Sequence, residues 1–173
     1  MSIAGKKVGI FVEHHYQDLE VWYPVLRLRE AGARVYLIGT GSSPEYVGKY
    51  GYPAKVDKTA DKVKAAGLDG LVIPGGWAPD KLRTHDSVLE LVREVNRAKK
   101  PIACICHGGW VLVSANVLRG RKVTSYVAIR DDMVNAGAKW VDEEVVVDKN
   151  LVTSRKPEDL PVFMRNFIEL LAV

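Results

Sequence analysis

Short runs of β-branched and aliphatic residues alternate along the chain with longer stretches whose apolar residues recur at helical spacing. The short runs predict buried strands, at residues 6–12, 34–38, 71–73 and 102–105. The longer stretches predict helices, at residues 19–31, 87–98, 110–118 and 157–171. Asp18 is the expected N-cap of the first helix, because a short acidic side chain can accept the unpaired amides of a helix start.

The remaining segments contain more glycine, proline and polar residues and predict shorter elements. Residues 46–56 are expected to form an extended excursion or a hairpin. Residues 144–147 and 151–153 are expected to pair as strands across a turn-like connection. Further short elements are predicted: helices at residues 59–66, 79–83 and 129–136, and a strand at residues 122–125.

Alternation of strands and helices is typical of a doubly wound, mostly parallel sheet with helices on both faces. We therefore predict a single α/β domain over residues 1–173, a length that can bury a substantial core. Ligands of such sheets bind beyond the carboxyl ends of the strands. Three segments follow strands at that edge, residues 13–20, 74–80 and 106–109, and we expect them to converge on one crevice.

Cys106 follows the predicted strand 102–105 and precedes Gly108 and Gly109, so it lies where a strand turns into a helix. By analogy, the nucleophile of the α/β-hydrolases occupies a turn of this kind. Unpaired backbone amides and the positive end of a helix dipole favour a thiolate there. We interpret Cys106 as a nucleophile; free cysteines often serve only as packing residues, and Cys104, inside the strand, keeps that role.

Three side chains are candidates to assist Cys106. His107 is the adjacent imidazole, but neighbours in a tight turn point apart, so it either transfers a proton or orients another group. Glu20 and Asp80 are the candidate carboxylates. If Glu20 turns into the crevice, burial raises its pKa and the protonated acid can donate to the thiolate. The simpler interpretations are a solvated histidine and a carboxylate that complements a helix dipole.

Backbone groups are the other candidates. Gly75 and Gly76 either bring bare amides to a substrate or form a simple turn. The C-x-C pair with His14 and His15 matches no recognised metal-ligand spacing, and no phosphate-binding glycine motif follows a strand. We therefore predict no metal and no cofactor.

Composition narrows the remaining function classes. The 173 residues carry a formal net charge of +4, but Lys and Arg are scattered without interleaved aromatic residues, which argues against specific nucleic-acid binding. No apolar run reaches the roughly 18 residues of a membrane span. Two cysteines cannot build a disulfide framework, and we expect a cytoplasmic protein. No histidine follows His107, which excludes the His-x-Glu arrangement of glutamine amidotransferases.

Four blocks of sequence carry a family resemblance: Asp18-Leu19-Glu20 with Tyr23-Pro24, then V-I-P-G-G-W-A-P-D at 72–80, A-C-I-C-H-G at 103–108 and G-R-K-V-T-S-Y at 120–126. Together they resemble the PfpI-type intracellular proteases, close relatives of the Parkinsonism-associated deglycases in the class I glutamine amidotransferase-like superfamily. Residues 144–148 and 152–155 are similar as well, so the resemblance covers almost the full length.

The resemblance implies a flavodoxin-like fold with the nucleophile at a strained strand-to-helix elbow. It implies that Cys106 is the nucleophile, that Glu20 is the acid hydrogen-bonded to it, and that His107 belongs to a Cys-His-acid set. Asp80 takes the acid position of that set, where several members carry the longer Glu. In these oligomers that acid is thought to come from a neighbouring subunit.

The same resemblance implies that Gly75, Gly76 and the backbone of His107 form the oxyanion-binding region, with Tyr126 close to the site. It also implies a homo-oligomer, a dimer or a trimer of dimers, that works without a cofactor. The expected substrates are small reactive carbonyls or glycated amines and peptides.

Three functions follow from these residues. The leading hypothesis is a cysteine enzyme acting on reactive carbonyls, either a glyoxalase that makes lactate from methylglyoxal or a deglycase. The first alternative is an intracellular cysteine peptidase or amidase. The second is a redox-sensing stress protein or holdase whose Cys106 is oxidised to a sulfinic acid next to Glu20.

Overall fold

The computed structural model of the chain describes residues 2–173. The strands are β1 (Lys7–Phe11), β2 (Arg34–Gly39), β3 (Glu45–Val47), β4 (Pro53–Lys55), β5 (Lys58–Thr59), β6 (Gly70–Ile73), β7 (Ile102–Ile105), β8 (Lys122–Val123), β9 (Lys139–Trp140), β10 (Val145–Asp148) and β11 (Leu151–Ser154). The α-helices are α1 (Asp18–Glu30), α2 (Ala78–Leu82), α3 (Asp86–Arg97), α4 (Gly109–Ser114), α5 (Arg130–Asn135) and α6 (Leu160–Leu171).

Seven strands form the central sheet in the order β10-β11-β7-β6-β1-β2-β5. Every neighbouring pair is parallel except β10 and β11, which form an antiparallel hairpin at one edge. Helices flank this sheet, which confirms the predicted doubly wound, mostly parallel α/β fold. The order places β6 between β1 and β7, so the loops that follow these three strands open at the same edge.

The core follows the apolar runs of the sequence. β6, β7 and β11 are buried along their whole length because they lie inside the sheet and are covered by helices. α6 packs one apolar face against the sheet, with Phe163 and Phe167 fully buried. Burying each such side chain contributes about 2–3 kcal/mol. Within residues 2–173, no helix is long and apolar enough to cross a membrane.

Two smaller sheets complete the fold. The predicted hairpin within residues 46–56 is confirmed, since β3 and β4 pair antiparallel. The predicted edge hairpin is confirmed by β10 and β11. The predicted strand at 122–125 is shorter, and β8 pairs parallel with β9, a strand that the sequence did not predict. Both are two-residue strands, too short to produce a periodic pattern.

Two local predictions are wrong. The helix expected at residues 59–66 is instead two separate 3-10 turns, Ala60–Lys62 and Ala65–Gly67, because Val63 and Lys64 between them adopt extended backbone conformations. Asp18 is not the N-cap of α1. That role falls to Gln17, whose side-chain oxygen accepts the amide of Leu19 at 2.7 Å.

The carboxylate of Asp18 is used elsewhere, to hold the loop between β3 and β4. It accepts the backbone amides of Tyr50 at 2.9 Å and Tyr52 at 3.1 Å. Gly48 permits this approach, since a Cβ there would lie 2.4 Å from the Asp18 carboxylate. The start of α1 therefore fixes a loop that is more than thirty residues away in the sequence.

Replacing Asp18 with Ala should lower the free energy of unfolding by about 1–3 kcal/mol, because two backbone amides lose a charged acceptor. Amide hydrogen exchange should rise in residues 48–52. Asp86→Ala is the matched control, since Asp86 also begins a helix but accepts no side-chain hydrogen bond within residues 2–173. It should cost only about 0.3–1 kcal/mol. Equal losses from the two variants, measured by chemical denaturation, would contradict this role of Asp18.

Candidate active site

The turn after β7 has the geometry of a nucleophile elbow. Cys106 has a positive φ of 61°, a left-handed conformation that strains any residue with a Cβ. A single 3-10 turn, Cys106–Gly108, then leads into α4. Gly108 must be glycine for this turn to pack on β6, because a Cβ there would lie 2.8 Å from the carbonyl oxygen of Ile73. The strained elbow expected from the resemblance is present.

The loops after β1 and β6 meet at this elbow. Tyr16 and Gly76 form an isolated antiparallel bridge, and the amide of Gln17 donates to the carbonyl of Gly75 at 3.2 Å. The amide of Trp77 donates to the carbonyl of His15 at 2.8 Å. The structure thus brings together the three segments that the sequence placed at one sheet edge.

Glu20 points from the first turn of α1 into this meeting point and is fully buried. Its Oε2 accepts the amide of Gly75 at 2.7 Å, while Oε1 has no hydrogen-bond partner within residues 2–173. Burial raises the pKa of Glu20 to about 7, against the opposing effects of the Gly75 amide, the Cys106 thiol and the charge of Lys49. The carboxyl therefore exchanges its proton near neutral pH.

Cys106 lies beside that carboxyl and is only 8% exposed. Burial, and then the negative charge of Glu20, raise the pKa of the thiol to about 12, although the amides of His107 and Gly76 act in the opposite direction. The expectation of a thiolate made by the helix dipole is therefore wrong while Glu20 is ionised. α4 has only six residues, and its dipole does not offset burial beside a second acid.

The two acids are better regarded as one unit that carries a shared proton. Glu20 and Cys106 interact closely, so the proton that remains above about pH 7 belongs to the pair; it resides mostly on the sulfur, the weaker acid, and can transfer to the carboxyl. When it lies on Glu20, the sulfur is an anion that accepts from a neutral acid and from the amides of Gly76 and His107. Proton transfer within the pair is therefore the route by which this sulfur could become an anion.

His107 also lies beside the sulfur, with its Nδ1 3.4 Å from Cys106 Sγ. Burial, and then the charge of Lys49, lower the pKa of this histidine, so its ring is neutral at neutral pH. The ring stacks on Tyr126 with centroids 5.0 Å apart and meets Trp110 edge-on at 5.2 Å. These contacts hold the imidazole beside the sulfur.

Comparison with known proteins identifies the family. The family model of the DJ-1/PfpI family matches residues 6–170. The chain belongs to this family. It is 47% identical to Deglycase PfpI of Pyrococcus furiosus over 165 residues, 95% of this chain and 99% of that protein. It is 41% identical to Protein/nucleic acid deglycase 2 of Escherichia coli over 169 residues, 96% of this chain and 98% of that protein.

A solved structure supports the same family assignment. A two-domain protein from Anabaena variabilis, with DJ-1/ThiJ/PfpI-like and ferritin-like domains, superposes with a TM-score of 0.95 at 40% identity, covering 96% of this chain and 48% of that one. The resemblance to PfpI-type proteins found in the sequence is confirmed, and so, at the level of the family, is the prediction of a PfpI-type enzyme.

A cavity of about 410 Å³ opens above the sulfur of this DJ-1/PfpI protein, lined by Gln17, Glu20, Lys49, Gly76, Trp77, Cys106, His107, Tyr126, Ala128, Lys156 and Pro157. The structure therefore brings five of the seven predicted site residues to one cavity. Gly75 lies behind it, and its amide is already committed to Glu20. A Cβ on Gly75 would lie 2.6 Å from Glu20 Oε2 and 2.7 Å from Cys106 Cβ, so a glycine here lets the two groups meet.

Asp80 is not brought to the site within one chain. It is exposed on α2, does not line the cavity, and makes no side-chain hydrogen bond within residues 2–173. Sequence reasoning missed Lys49 and Lys156 as lining residues, because neither stands beside a motif. Within the same range, no group of three or more His, Cys, Asp or Glu side chains is arranged to hold a metal ion.

The raised pKa of Glu20 makes a prediction about stability. The folded state holds this proton up to about pH 7, whereas an unfolded Glu releases it near 4.5. The stability from that proton is therefore complete below about pH 4.5 and lost as the pH rises through about 7. Over this window, the unfolding free energy of wild type should fall relative to Glu20→Gln by about 3 kcal/mol.

Chemical denaturation of both proteins across this pH range measures the difference. Glu169→Gln is the control: Glu169 is exposed near the end of α6, so the difference in unfolding free energy between wild type and this variant should stay constant with pH. A wild-type curve parallel to that of Glu20→Gln would contradict a raised pKa.

Proposed function

We propose that this protein is a cofactor-free cysteine enzyme that acts on small reactive carbonyls, as a glyoxalase or a deglycase. The observation that carries the proposal is the pairing of Cys106, on a strained elbow, with a buried carboxyl that exchanges a proton near neutral pH. Kinship with proteins named deglycases supports the same conclusion. Cys106, Glu20 and His107 are the proposed catalytic residues.

The first step is addition of the sulfur to the aldehyde carbon of methylglyoxal. The proton of the pair moves to Glu20, and the sulfur anion forms a carbon–sulfur bond while the carbonyl π electrons move to oxygen. That oxygen takes the proton from Glu20, which gives a neutral hemithioacetal and an ionised carboxyl. A pKa of about 7 suits Glu20 to give and to recover a proton at neutral pH.

The second step moves hydrogen between the two carbons. Glu20 or neutral His107 takes the proton from the carbon bound to sulfur, and the electrons of that bond form an enediolate. Return of that proton to the neighbouring carbon, with transfer of the hydroxyl proton from the oxygen of the sulfur-bound carbon to the oxygen of the neighbouring carbon, yields a lactate thioester. Water then hydrolyses the thioester, which releases lactate and restores the thiol, so no oxidant or reductant is consumed.

Backbone amides are placed to stabilise the negative oxygen in these steps. The amides of Gly76 and His107 already act on the sulfur, and once the carbon–sulfur bond forms the charge lies on an oxygen close by. Gly75 holds Glu20 instead of the substrate oxygen. Tyr126 is proposed to hold His107 by stacking.

A deglycase reaction uses the same groups. In an adduct of methylglyoxal with an amine, one carbon carries both a hydroxyl and the nitrogen. Loss of the protonated amine from that carbon regenerates the aldehyde, which the sulfur attacks as before. The two activities therefore differ in where the aldehyde is released, in solution or inside the cavity.

Cys106→Ala should reduce lactate formation from methylglyoxal by about 1000-fold or more, because no other side chain in the cavity replaces the sulfur. Cys104→Ala is the matched control and should keep most of the activity, since Cys104 is buried within β7. Lactate is measured enzymatically. Equal rates from wild type and Cys106→Ala would reject the proposal, and no turnover from either would favour a redox sensor.

Comparing free methylglyoxal with preformed amine adducts separates the two activities. A glyoxalase releases amine no faster than the adduct dissociates on its own, whereas a deglycase releases it faster at the same concentration of free aldehyde.

A peptidase is the second candidate, favoured by the 3.4 Å contact between Cys106 Sγ and His107 Nδ1. It would need an acid on His107, and we propose that Asp80 reaches that histidine only from a neighbouring subunit of a dimer or a trimer of dimers. The cavity of about 410 Å³ is small for a folded polypeptide and suits small carbonyls better.

Fluorogenic peptides test this alternative, with the oligomeric state followed by light scattering. We expect a dimer or larger assembly and no peptide cleavage that depends on Cys106. Cleavage that disappears in Cys106→Ser and falls by about 10-fold or more in Asp80→Ala would favour the peptidase instead.

A further inference from the structure

Two lysines stand among the residues that line the cavity, Lys49 and Lys156, together with the exposed aromatic side chains Trp77 and Tyr126. The proposed reaction at the sulfur uses neither lysine. Both belong to loops outside the motifs that carry Cys106 and Glu20. Both lysines are exposed, and each stands in a loop that is anchored by hydrogen bonds or ion pairs.

Lys49 is presented by the loop that Asp18 fixes. Its own amide donates to the carbonyl of Tyr16 at 2.7 Å, and the next amide, that of Tyr50, donates to Asp18. The ammonium of Lys49 lies 5.6 Å from the ring centroid of Trp77, at the wall of the cavity. The hairpin β3–β4 therefore carries a cation to the edge of the site.

Lys156 is presented by a second anchored segment. The preceding residue, Arg155, forms ion pairs of 2.9 Å with both Asp142 and Asp159. Pro157 follows Lys156 and also lines the cavity. Two separate loops thus each place a lysine among the residues that line the cavity.

The charges of the site explain why cations would be placed there. Above about pH 7 the Cys106–Glu20 pair carries one negative charge, and His107 is neutral. The negative charge of this pair would repel an anionic substrate. Glu158 adds to the negative potential at Glu20. Burial dominates the pKa of Glu20 and of His107, and the charge of Lys49 lowers both, so its field reaches the two groups beside the sulfur.

We propose that Lys49 and Lys156 form an anion subsite that binds a carboxylate or phosphate at the non-reacting end of the substrate. Substrates of this enzyme would then be carbonyl compounds or adducts that carry such an anion, in preference to neutral ones. The substrate class rests on the proposed function of Cys106, whereas the subsite itself can be tested without turnover.

Alkylation of Cys106 by iodoacetate and by iodoacetamide provides that test, because the reagents differ mainly in a negative charge. The rate of each is measured by mass spectrometry of the peptide that contains Cys106. Their ratio cancels any change in the fraction of sulfur anion, to which both reagents respond alike. It therefore reports how well the cavity accepts a small anion.

Lys49→Gln and Lys156→Gln should each lower the iodoacetate to iodoacetamide ratio by about 3- to 10-fold, and the double variant should lower it further. Lys55→Gln is the matched control, since Lys55 is exposed on β4 of the same hairpin but does not line the cavity. It should leave the ratio unchanged. An unchanged ratio in the double variant, or an equal fall in Lys55→Gln, would overturn the proposal.

Competing ions identify the anion. At constant ionic strength, acetate and inorganic phosphate are compared for their ability to slow iodoacetamide alkylation of wild type. Stronger protection by acetate assigns a carboxylate, stronger protection by phosphate assigns a phosphate, and either protection should weaken in Lys49→Gln. Protection by neither ion contradicts the subsite. If no lactate is formed but the iodoacetate to iodoacetamide ratio falls in the lysine variants, the carbonyl chemistry is rejected and the anion subsite is kept.

Discussion

The site depends on a carboxyl and a thiol that lie side by side in a buried space and cannot both be ionised there. Glu20 has no solvent exposure and Cys106 has little, so ionising both would place two negative charges together away from water. One proton therefore stays with the pair over the whole neutral range. We propose that this shared proton, rather than a helix dipole, lets the sulfur react as an anion, because the carboxyl can hold the proton that the sulfur gives up.

The order of the strands makes this pairing possible. Glu20 comes from the helix after β1 and Cys106 from the turn after β7, and β6 lies between those strands. The loop after β6 must pass between the two side chains, and at that point it has Gly75, whose missing side chain leaves room for both and whose amide binds the carboxyl. The strand order and Gly75 together thus allow the buried Glu20 to lie beside Cys106.

The periphery of the cavity is built by longer connections. Asp18 belongs to the same helical turn as Glu20 and fixes the loop that carries Lys49. One turn of α1 therefore positions both the buried carboxyl and a lysine at the edge of the cavity. The aromatic rings around His107 hold the imidazole close to the sulfur, and burial lowers its pKa so that it is neutral. The lysines at the rim oppose the negative charge of the Cys106–Glu20 pair, and the proposed anion subsite depends on them.

Sequence alone determined the parts of this protein that depend on local pattern. Buried runs such as residues 71–73 and 102–105 predicted the central strands, their alternation with helices predicted the sheet, and the C-I-C-H-G-G turn identified Cys106, because such signals lie within a few neighbouring residues. Pattern failed where a side chain had a distant partner, as with Asp18, or where an element had only two residues, as with β9.

Only the tertiary structure decided the protonation of the site and its outline. The pKa values of Glu20 and Cys106 depend on burial and on each other, and the two residues are 86 positions apart, so no local pattern could reveal that one holds the other's proton. Likewise, Lys49 and Lys156 line the same cavity as Cys106 only because the folded loops bring them there. Electrostatic effects act through space, and the fold sets the distances on which they depend.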